Sequence, residues 1–225
     1  MKKLTLYHGS PIVVEKPSLD KCRSGTDYGT GFYCTEHEEL AKEWACTAVR
    51  GGFANRYRLD ARNLSVLNLA DVDHAMLRWL CLLVQNRSVR LSTPNMRRGK
   101  DWLIEHFSLD ISAHDLVIGY RADDSYFGFV RAFLNNVITF EQLSIAMRLG
   151  KLGEQYVLKT QRAIDALEFE GAEAAERATY YPLRKARDEA AATAFNELLE
   201  KEDRGGVLLR DLLEGRVGLD DARIR

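Results

Sequence analysis

The order of strand and helix patterns up to residue 170 limits the fold of this 225-residue chain more than any other feature. Apolar residues that alternate or run together predict short strands, at residues 4–8, 55–59, 64–69, 115–120 and 155–160. Apolar residues at helical spacing predict helices, at residues 40–48, 71–85, 125–135, 139–149 and 161–167. Because the two kinds of element do not alternate regularly, the pattern predicts an α+β fold and argues against a doubly wound sheet.

The composition changes at Gly171, which marks a predicted boundary. Ala, Glu, Arg and Leu dominate from there on, and a helix is predicted from near Pro182 to about Lys201. We therefore expect a domain over residues 1–170 and a charged helical extension over residues 171–225. The basic segment 86–101 is expected to be a surface loop.

Charge and cysteine usage exclude several classes of protein. Lys and Arg number 32 against 33 Asp and Glu, so the basic excess of a typical nucleic-acid binder or a polybasic membrane anchor is absent. The longest apolar run, residues 79–84, is far shorter than the roughly 20 residues of a membrane span. With no secretory signal, no C-x-x-C pair and no zinc spacing, we expect a cytoplasmic protein that binds no metal and keeps four reduced thiols, Cys22, Cys34, Cys46 and Cys81.

Three short motifs place polar or aromatic residues where a predicted strand meets a loop. They are Leu6-Tyr7-His8-Gly9-Ser10, the segment from Asp27 to Thr35, and Glu154-Gln155-Tyr156. The long loop over residues 11–31 is of a length that usually serves a function. Taken singly, each motif also has a structural explanation: a core histidine, a packed tyrosine, or solvent-exposed strand residues.

Together and in this order, the motifs resemble the H-Y-E class of the ADP-ribosyltransferase superfamily. The chain is most similar to a bacterial branch of that superfamily that carries the label of a domain of unknown function. Two further motifs support the resemblance, Trp44-Ala45 and the segment from Asp115 to Asp124, and the similarity covers about residues 3–170. The resemblance implies two small packed, mostly antiparallel sheets flanked by helices.

The resemblance also implies an NAD-dependent enzyme that transfers ADP-ribose to a macromolecule and releases nicotinamide. Members of this branch resemble bacterial toxins or effectors that often have a small neutralising antitoxin partner. The acceptor class stays open between protein, DNA, RNA and a small molecule. Residues 171–225 are candidates for binding the partner or the acceptor.

Residue roles follow from the same resemblance. His8 would hydrogen-bond the adenine-side ribose, with Gly9 giving the ligand space and Ser10 and Asp27 completing the NAD site. Tyr33 would stack on the cationic nicotinamide ring. The position of the class-defining glutamate aligns with Gln155, which would support the oxocarbenium-like transition state without a negative charge. Glu154 is the alternative, since adjacent strand residues point to opposite faces.

Two other functions stay open at this point. The same pocket without an acceptor site would give an NAD glycohydrolase, and the glutamine at the third position is compatible with a non-catalytic NAD-binding module. Asp123 and Asp124 are further candidate carboxylates, although capping the next helix is their simpler role. The basic segment 87–100 is either a solvated surface or an acceptor-binding patch.

Overall fold

A computed structural model describes residues 3–121, 126–149, 153–201, 203 and 205–225. Asp123 and Asp124 lie outside the described residues. The contacts divide the chain into two compact units. The first unit comprises Met1–Asn68, Asp110–Arg121 and Gly153–Arg187, and the second comprises Leu69–Leu109, Ala122–Leu152 and Asp188–Arg225.

The first unit contains two sheets. Strands β1 (Lys3–Ser10), β3 (Gly52–Asp60) and β7 (Leu167–Ala175) form an antiparallel sheet in the order β1-β3-β7. The second sheet has the order β2-β6-β5-β4, with β2 at Phe32–Cys34, β4 at Val66–Asn68, β5 at Leu116–Tyr120 and β6 at Glu154–Leu158. The pair β4–β5 is parallel, and the other pairs of this sheet are antiparallel. The predicted α+β class, with two small, mainly antiparallel sheets, is confirmed.

One apolar core lies between the two sheets because each strand turns alternate side chains inward. Leu6 and Tyr57 come from the first sheet, and Phe32, Ile118 and Leu158 come from the second. Two helices belong to the same unit, α1 (Glu38–Ala45) and α6 (Gln161–Asp165). Thr160 caps α6, since its hydroxyl accepts a hydrogen bond from the Ala163 N–H at 3.1 Å.

The described part of the second unit is helical. Its helices are α2 (Ala75–Asn86), α3 (Pro94–Phe107), α4 (Phe127–Leu134), α5 (Phe140–Ala146) and α8 (Leu209–Leu213), together with the later residues of α7 (Arg177–Leu199). Among the described residues, none of these helices combines the length and the apolar character needed to cross a bilayer. The predicted helices at 71–85, 125–135 and 139–149 correspond to α2, α4 and α5.

Three expectations were wrong. The basic segment 86–101 is not all loop, because α3 begins at Pro94 with the Thr93 hydroxyl as its cap. Residues 171–175 are strand, because β7 crosses residue 170 and pairs with β3, so the predicted domain boundary falls inside a strand. Pro182 lies inside α7 and not in its first turn, since α7 begins at Arg177.

Candidate functional site

Four of the predicted site residues form two contacting pairs within the first unit, His8 with Tyr33 and Gln155 with Asp27. His8 lies on β1, Tyr33 on β2 and Gln155 on β6, while Asp27 lies in the loop before β2. Two main-chain hydrogen bonds join β1 to the residue that follows β2, which brings the first sheet to the edge strand of the second. Residues up to 147 positions apart in the sequence (8 to 155) are thereby linked.

The half-buried His8 ring lies beside β2. Its Nδ1 donates a hydrogen bond to the main-chain oxygen of Tyr33 at 2.7 Å, and the ring stacks on Phe32 with 4.3 Å between centroids. Burial lowers the pKa of His8, while the bond to the Tyr33 carbonyl acts in the opposite direction. Because a carbonyl only accepts, Nδ1 carries the proton and the neutral ring keeps Nε2 as an acceptor. Nothing among the described residues donates to that nitrogen.

The Tyr33 ring is held through its hydroxyl. The hydroxyl oxygen accepts hydrogen bonds from the Thr26 hydroxyl at 2.7 Å and the Tyr28 N–H at 3.0 Å, and it donates to the Gly29 carbonyl at 2.7 Å. All three partners belong to the loop over residues 11–31. The hydroxyl is therefore occupied by the protein, so a role of Tyr33 in ligand binding would fall to its half-buried ring.

Gln155 and Asp27 form a buried pair. Only 4% of Gln155 and 5% of Asp27 are exposed. The Gln155 amide nitrogen donates to the Asp27 carboxylate at 2.7 Å and to the Tyr120 carbonyl at 3.3 Å. Both partners are acceptors, which fixes the orientation of the amide. Its oxygen accepts nothing from the residues that the structure describes.

Tyr33 and Gln155 share one face of the second sheet. Tyr33 lies opposite Val157 in the β2–β6 pair, and Gln155 lies two residues from Val157 on the same strand. Glu154 points to the other face and is exposed. The structure thus brings Tyr33, Asp27 and Gln155 together, and it places Glu154 apart from them.

His8 approaches this group differently. Its ring stacks on Phe32, which lies on the core face of β2, whereas Tyr33 lies on the outer face of the same strand. Within the described part of the chain, His8 contacts the group only through the Tyr33 main chain. His8 is therefore a residue of the strand edge, where the two sheets meet.

Gly9 is required by packing. A Cβ atom built on Gly9 would lie 2.1 Å from the Ala41 carbonyl oxygen and 3.0 Å from the Ala45 nitrogen, both in α1. The space beside Gly9 is thus occupied by a helix, and a role in admitting the ligand stays a prediction. Ser10 is also tied to the protein, since its hydroxyl bonds to the Ile12 main chain and accepts from Asn55.

Asn55 was missed in the sequence. It is fully buried on β3 directly opposite His8, and its amide nitrogen donates to the His8 carbonyl at 3.1 Å. Its side-chain oxygen accepts from the Val14 N–H at 2.7 Å. Asn55 therefore joins the His8 main chain to the start of the loop over residues 11–31. An asparagine within a strand is the only indication that the sequence offers.

Lys159 fixes the other end of that loop. Its ammonium donates to the Tyr28 carbonyl at 2.6 Å and to the Thr30 carbonyl at 2.7 Å. Burial lowers the pKa of Lys159. The Tyr28 hydroxyl adds a hydrogen bond to the Tyr120 carbonyl at 2.7 Å. Because both ends of the loop are bonded to strands, the residues around Asp27 are positioned before any ligand arrives.

The site offers acceptors and an aromatic face. The His8 ring nitrogen and the Gln155 amide oxygen can each accept a hydrogen bond from a hydroxyl group, and the Asp27 carboxylate adds negative charge next to the amide. Among the described residues, no three His, Cys, Asp or Glu side chains lie close enough together to hold a metal ion. The arrangement suits a hydroxyl-rich ligand with a cationic ring.

The fold and the site define an α+β protein with a polar site where two small sheets meet. The chain belongs to the family described as "Protein of unknown function (DUF3990)", which it matches over residues 4–169. No curated protein and no solved structure matches the chain.

Proposed function

We propose that the protein is an NAD-dependent ADP-ribosyltransferase that moves ADP-ribose from NAD to a macromolecular acceptor and releases nicotinamide. The observation that carries the proposal is the Gln155–Asp27 pair on the same sheet face as Tyr33, with the Gln155 amide oxygen left as a buried acceptor. An ADP-ribosyltransferase-like fold is part of this proposal. The two small sheets around one core support it.

Binding of NAD uses the two ends of the site differently. The Tyr33 ring stacks on the nicotinamide, and its attraction to the cationic ring amounts to about 0.5–2 kcal/mol. The His8 Nε2 accepts a hydrogen bond from a hydroxyl of the adenine-side ribose. Because the Tyr33 hydroxyl and the His8 Nδ1 are already bonded within the protein, both rings lose little freedom when NAD binds.

The reaction breaks the glycosidic bond between the ribose and nicotinamide. Nicotinamide leaves as a neutral molecule with the bonding electron pair, and positive charge develops on the ribose. The Gln155 oxygen accepts a hydrogen bond from a ribose hydroxyl, and its lone pairs become more negative because the amide nitrogen donates to the Asp27 carboxylate. A nucleophile of the acceptor then bonds to the anomeric carbon and loses its proton.

Nicotinamide release from labelled NAD tests the role of Gln155. Gln155→Leu removes both the donor and the acceptor, and we expect release to fall by about 100-fold or more. Glu154→Gln is the matched control, because it alters the exposed neighbour on the opposite face and should leave release unchanged. Full activity of Gln155→Leu, or equal losses in both variants, would contradict the proposed site.

Two further results distinguish the alternative functions. Label that stays in small molecules, with none on protein or nucleic acid of a lysate, would make the protein an NAD glycohydrolase. A thermal shift with NAD but no nicotinamide release would make it a non-catalytic NAD-binding module. The neutral Gln155 side chain is compatible with this alternative, because it can bind a ribose hydroxyl without supplying negative charge. Protease and nuclease digestion of labelled lysate then identifies the acceptor class.

The cellular role that we propose is that of a bacterial toxin or effector acting in the cytoplasm, with a small neutralising protein as partner. Expression of the wild-type chain should arrest growth, and the Gln155→Leu variant at the same level should not. Equal arrest by both would show that the toxicity does not depend on this site.

A further inference from the structure

The second unit carries a cavity of about 380 Å³ that the proposed reaction leaves unassigned. It opens between α3, the turn that joins α4 to α5, and α8. Cavities of about 300–1,000 Å³ commonly bind small molecules. Its polar lining residues are Asn95, Arg98, Asn135, Asn136, Arg210 and Glu214.

Two arginines supply positive charge to this cavity. Within the described ranges, no carboxylate lies at ion-pair distance from the guanidinium of Arg98 or Arg210. Both residues are exposed. Arg98 comes from α3 and Arg210 from α8, so residues more than 100 positions apart in the sequence line the same cavity. The planar guanidinium forms paired hydrogen bonds with oxyanions.

The asparagines add neutral donors. The Asn136 side-chain oxygen accepts from the Arg210 N–H at 2.7 Å, and the Asn135 oxygen accepts from the Thr93 hydroxyl at 2.9 Å. These bonds fix both amides with their oxygens toward the protein, which leaves the NH₂ groups as donors. The Asn95 side chain forms no hydrogen bond with any described residue.

The one carboxylate in the lining, that of Glu214, is partly offset by Arg216, which also contacts Asp211 at 3.0 Å. The lining therefore carries two guanidinium groups against one partly offset carboxylate, together with three amide donors. Such a surplus of donors matches a phosphate dianion, which has three terminal oxygens, better than a carboxylate with two.

We propose that this cavity binds the phosphate group of a phosphorylated small molecule, with Arg98 and Arg210 as the paired anchors and the asparagine amides as secondary donors. A sugar phosphate and a mononucleotide share this chemistry, and the cavity volume leaves space for an organic group beyond the phosphate. The site is independent of the proposed NAD reaction.

Isothermal titration of the full chain tests the proposal with four probes: inorganic phosphate, ribose 5-phosphate, AMP and unphosphorylated adenosine. We expect both esters to bind, adenosine to show no binding, and the affinity to decrease as salt is raised. Arg98→Gln and Arg210→Gln should each weaken ester binding by about tenfold. Arg97→Gln removes the same charge from the same helix outside the cavity and should leave binding unchanged.

Several outcomes would overturn the proposal. The first is that neither ester binds at about 10 mM, roughly the weakest affinity of interest. The second is that inorganic phosphate binds and the esters do not. The third is that Arg97→Gln weakens ester binding as much as Arg98→Gln and Arg210→Gln do. Circular dichroism checks that each exposed-site variant is folded. Ester binding should persist in His8→Ala, so a failure of the NAD proposal and a failure of this one remain distinguishable.

Discussion

Replacing Gly9 with alanine distinguishes a packing role for this glycine from a ligand role. The new Cβ would lie 2.1 Å from the Ala41 carbonyl oxygen, whereas ordinary contact begins at 3.4 Å, so α1 would have to move by about 1.3 Å. The atom that it meets belongs to the helix backbone and cannot rotate away. Overpacking of this kind costs about 1–3 kcal/mol. The melting temperature of a chain of this size should then fall by about 2–4 °C for each kcal/mol.

The sign of the effect makes the experiment decisive. Where space allows, exchange of glycine for alanine stabilises a protein by about 0.4–1 kcal/mol, because it restricts the unfolded chain. Gly128, in the first turn of α4, provides that comparison, since a Cβ there meets no atom of the described residues within 4 Å. We expect thermal and urea unfolding to show destabilisation by Gly9→Ala and stabilisation by Gly128→Ala. An unchanged or raised melting temperature in Gly9→Ala, together with lost NAD binding, would refute the packing argument.

Three other perturbations test the surroundings of the site. The pKa of His8 is lowered from its ordinary 6.5, so the unfolded chain takes up the proton first as the pH falls. The contribution of His8 to stability is therefore complete above about pH 6.5 and decreases below it. His8→Gln should reduce the slope of the unfolding free energy against pH, measured by urea unfolding between pH 7.5 and pH 5. An identical slope in the variant would contradict the lowered pKa of His8. Asn55→Ala should lower the free energy of unfolding by about 1–3 kcal/mol in the same assay, because the Val14 N–H loses its acceptor. A loss below about 0.5 kcal/mol would contradict the inference that Asn55 anchors the loop over residues 11–31. Arg187→Met should lower the free energy of unfolding by about 2 kcal/mol or more, because it leaves the buried Glu43 carboxylate without its bidentate partner at 2.7 and 2.9 Å. A second substitution, Glu43→Met, should recover part of this loss. Strictly additive losses in the double variant would show that the pair is not coupled.

The fold class and many elements could be predicted from the sequence because local patterns determine them. α3 was missed although its pattern is present: Thr93 and Pro94 form a helix start, and the buried residues Met96, Leu103 and Phe107 recur at helical spacing. The arginines and lysine of this segment favour a surface loop when only the sequence is considered. Charged residues lie equally well on the solvent face of a helix.

β7 could not be predicted from its own residues. Its sequence from Leu167 to Ala175 is rich in Glu and Ala, which favour helices, and only Phe169 is a large strand-forming residue. The strand exists because β3 offers it a partner along its whole length. Such a tertiary pairing overrides local preference, and the alternation of apolar and charged residues is confined to residues 167–170.

The residues of the site could be named from sequence motifs, but their contacts and orientations could not be predicted. The motif alignment favours Gln155 and keeps Glu154 as the alternative, and the structure buries Gln155 and exposes Glu154 where β6 pairs with β5. Asn55 and Lys159 escaped notice because each acts through distant main-chain groups. Their contacts depend on strand register, which a single sequence does not determine.

The course of β7 has a practical consequence for anyone who shortens or recombines this protein. The family match ends at residue 169, yet residues 172–175 still pair with β3 along the stretch that includes Asn55. A cut at the family limit would remove five of the eight residue pairs between β7 and β3. The unpaired part of β3 could then pair with a strand of another chain. Chimaeras that exchange C-terminal segments between homologues should be joined downstream of Ala175, so that β7 comes complete from one parent.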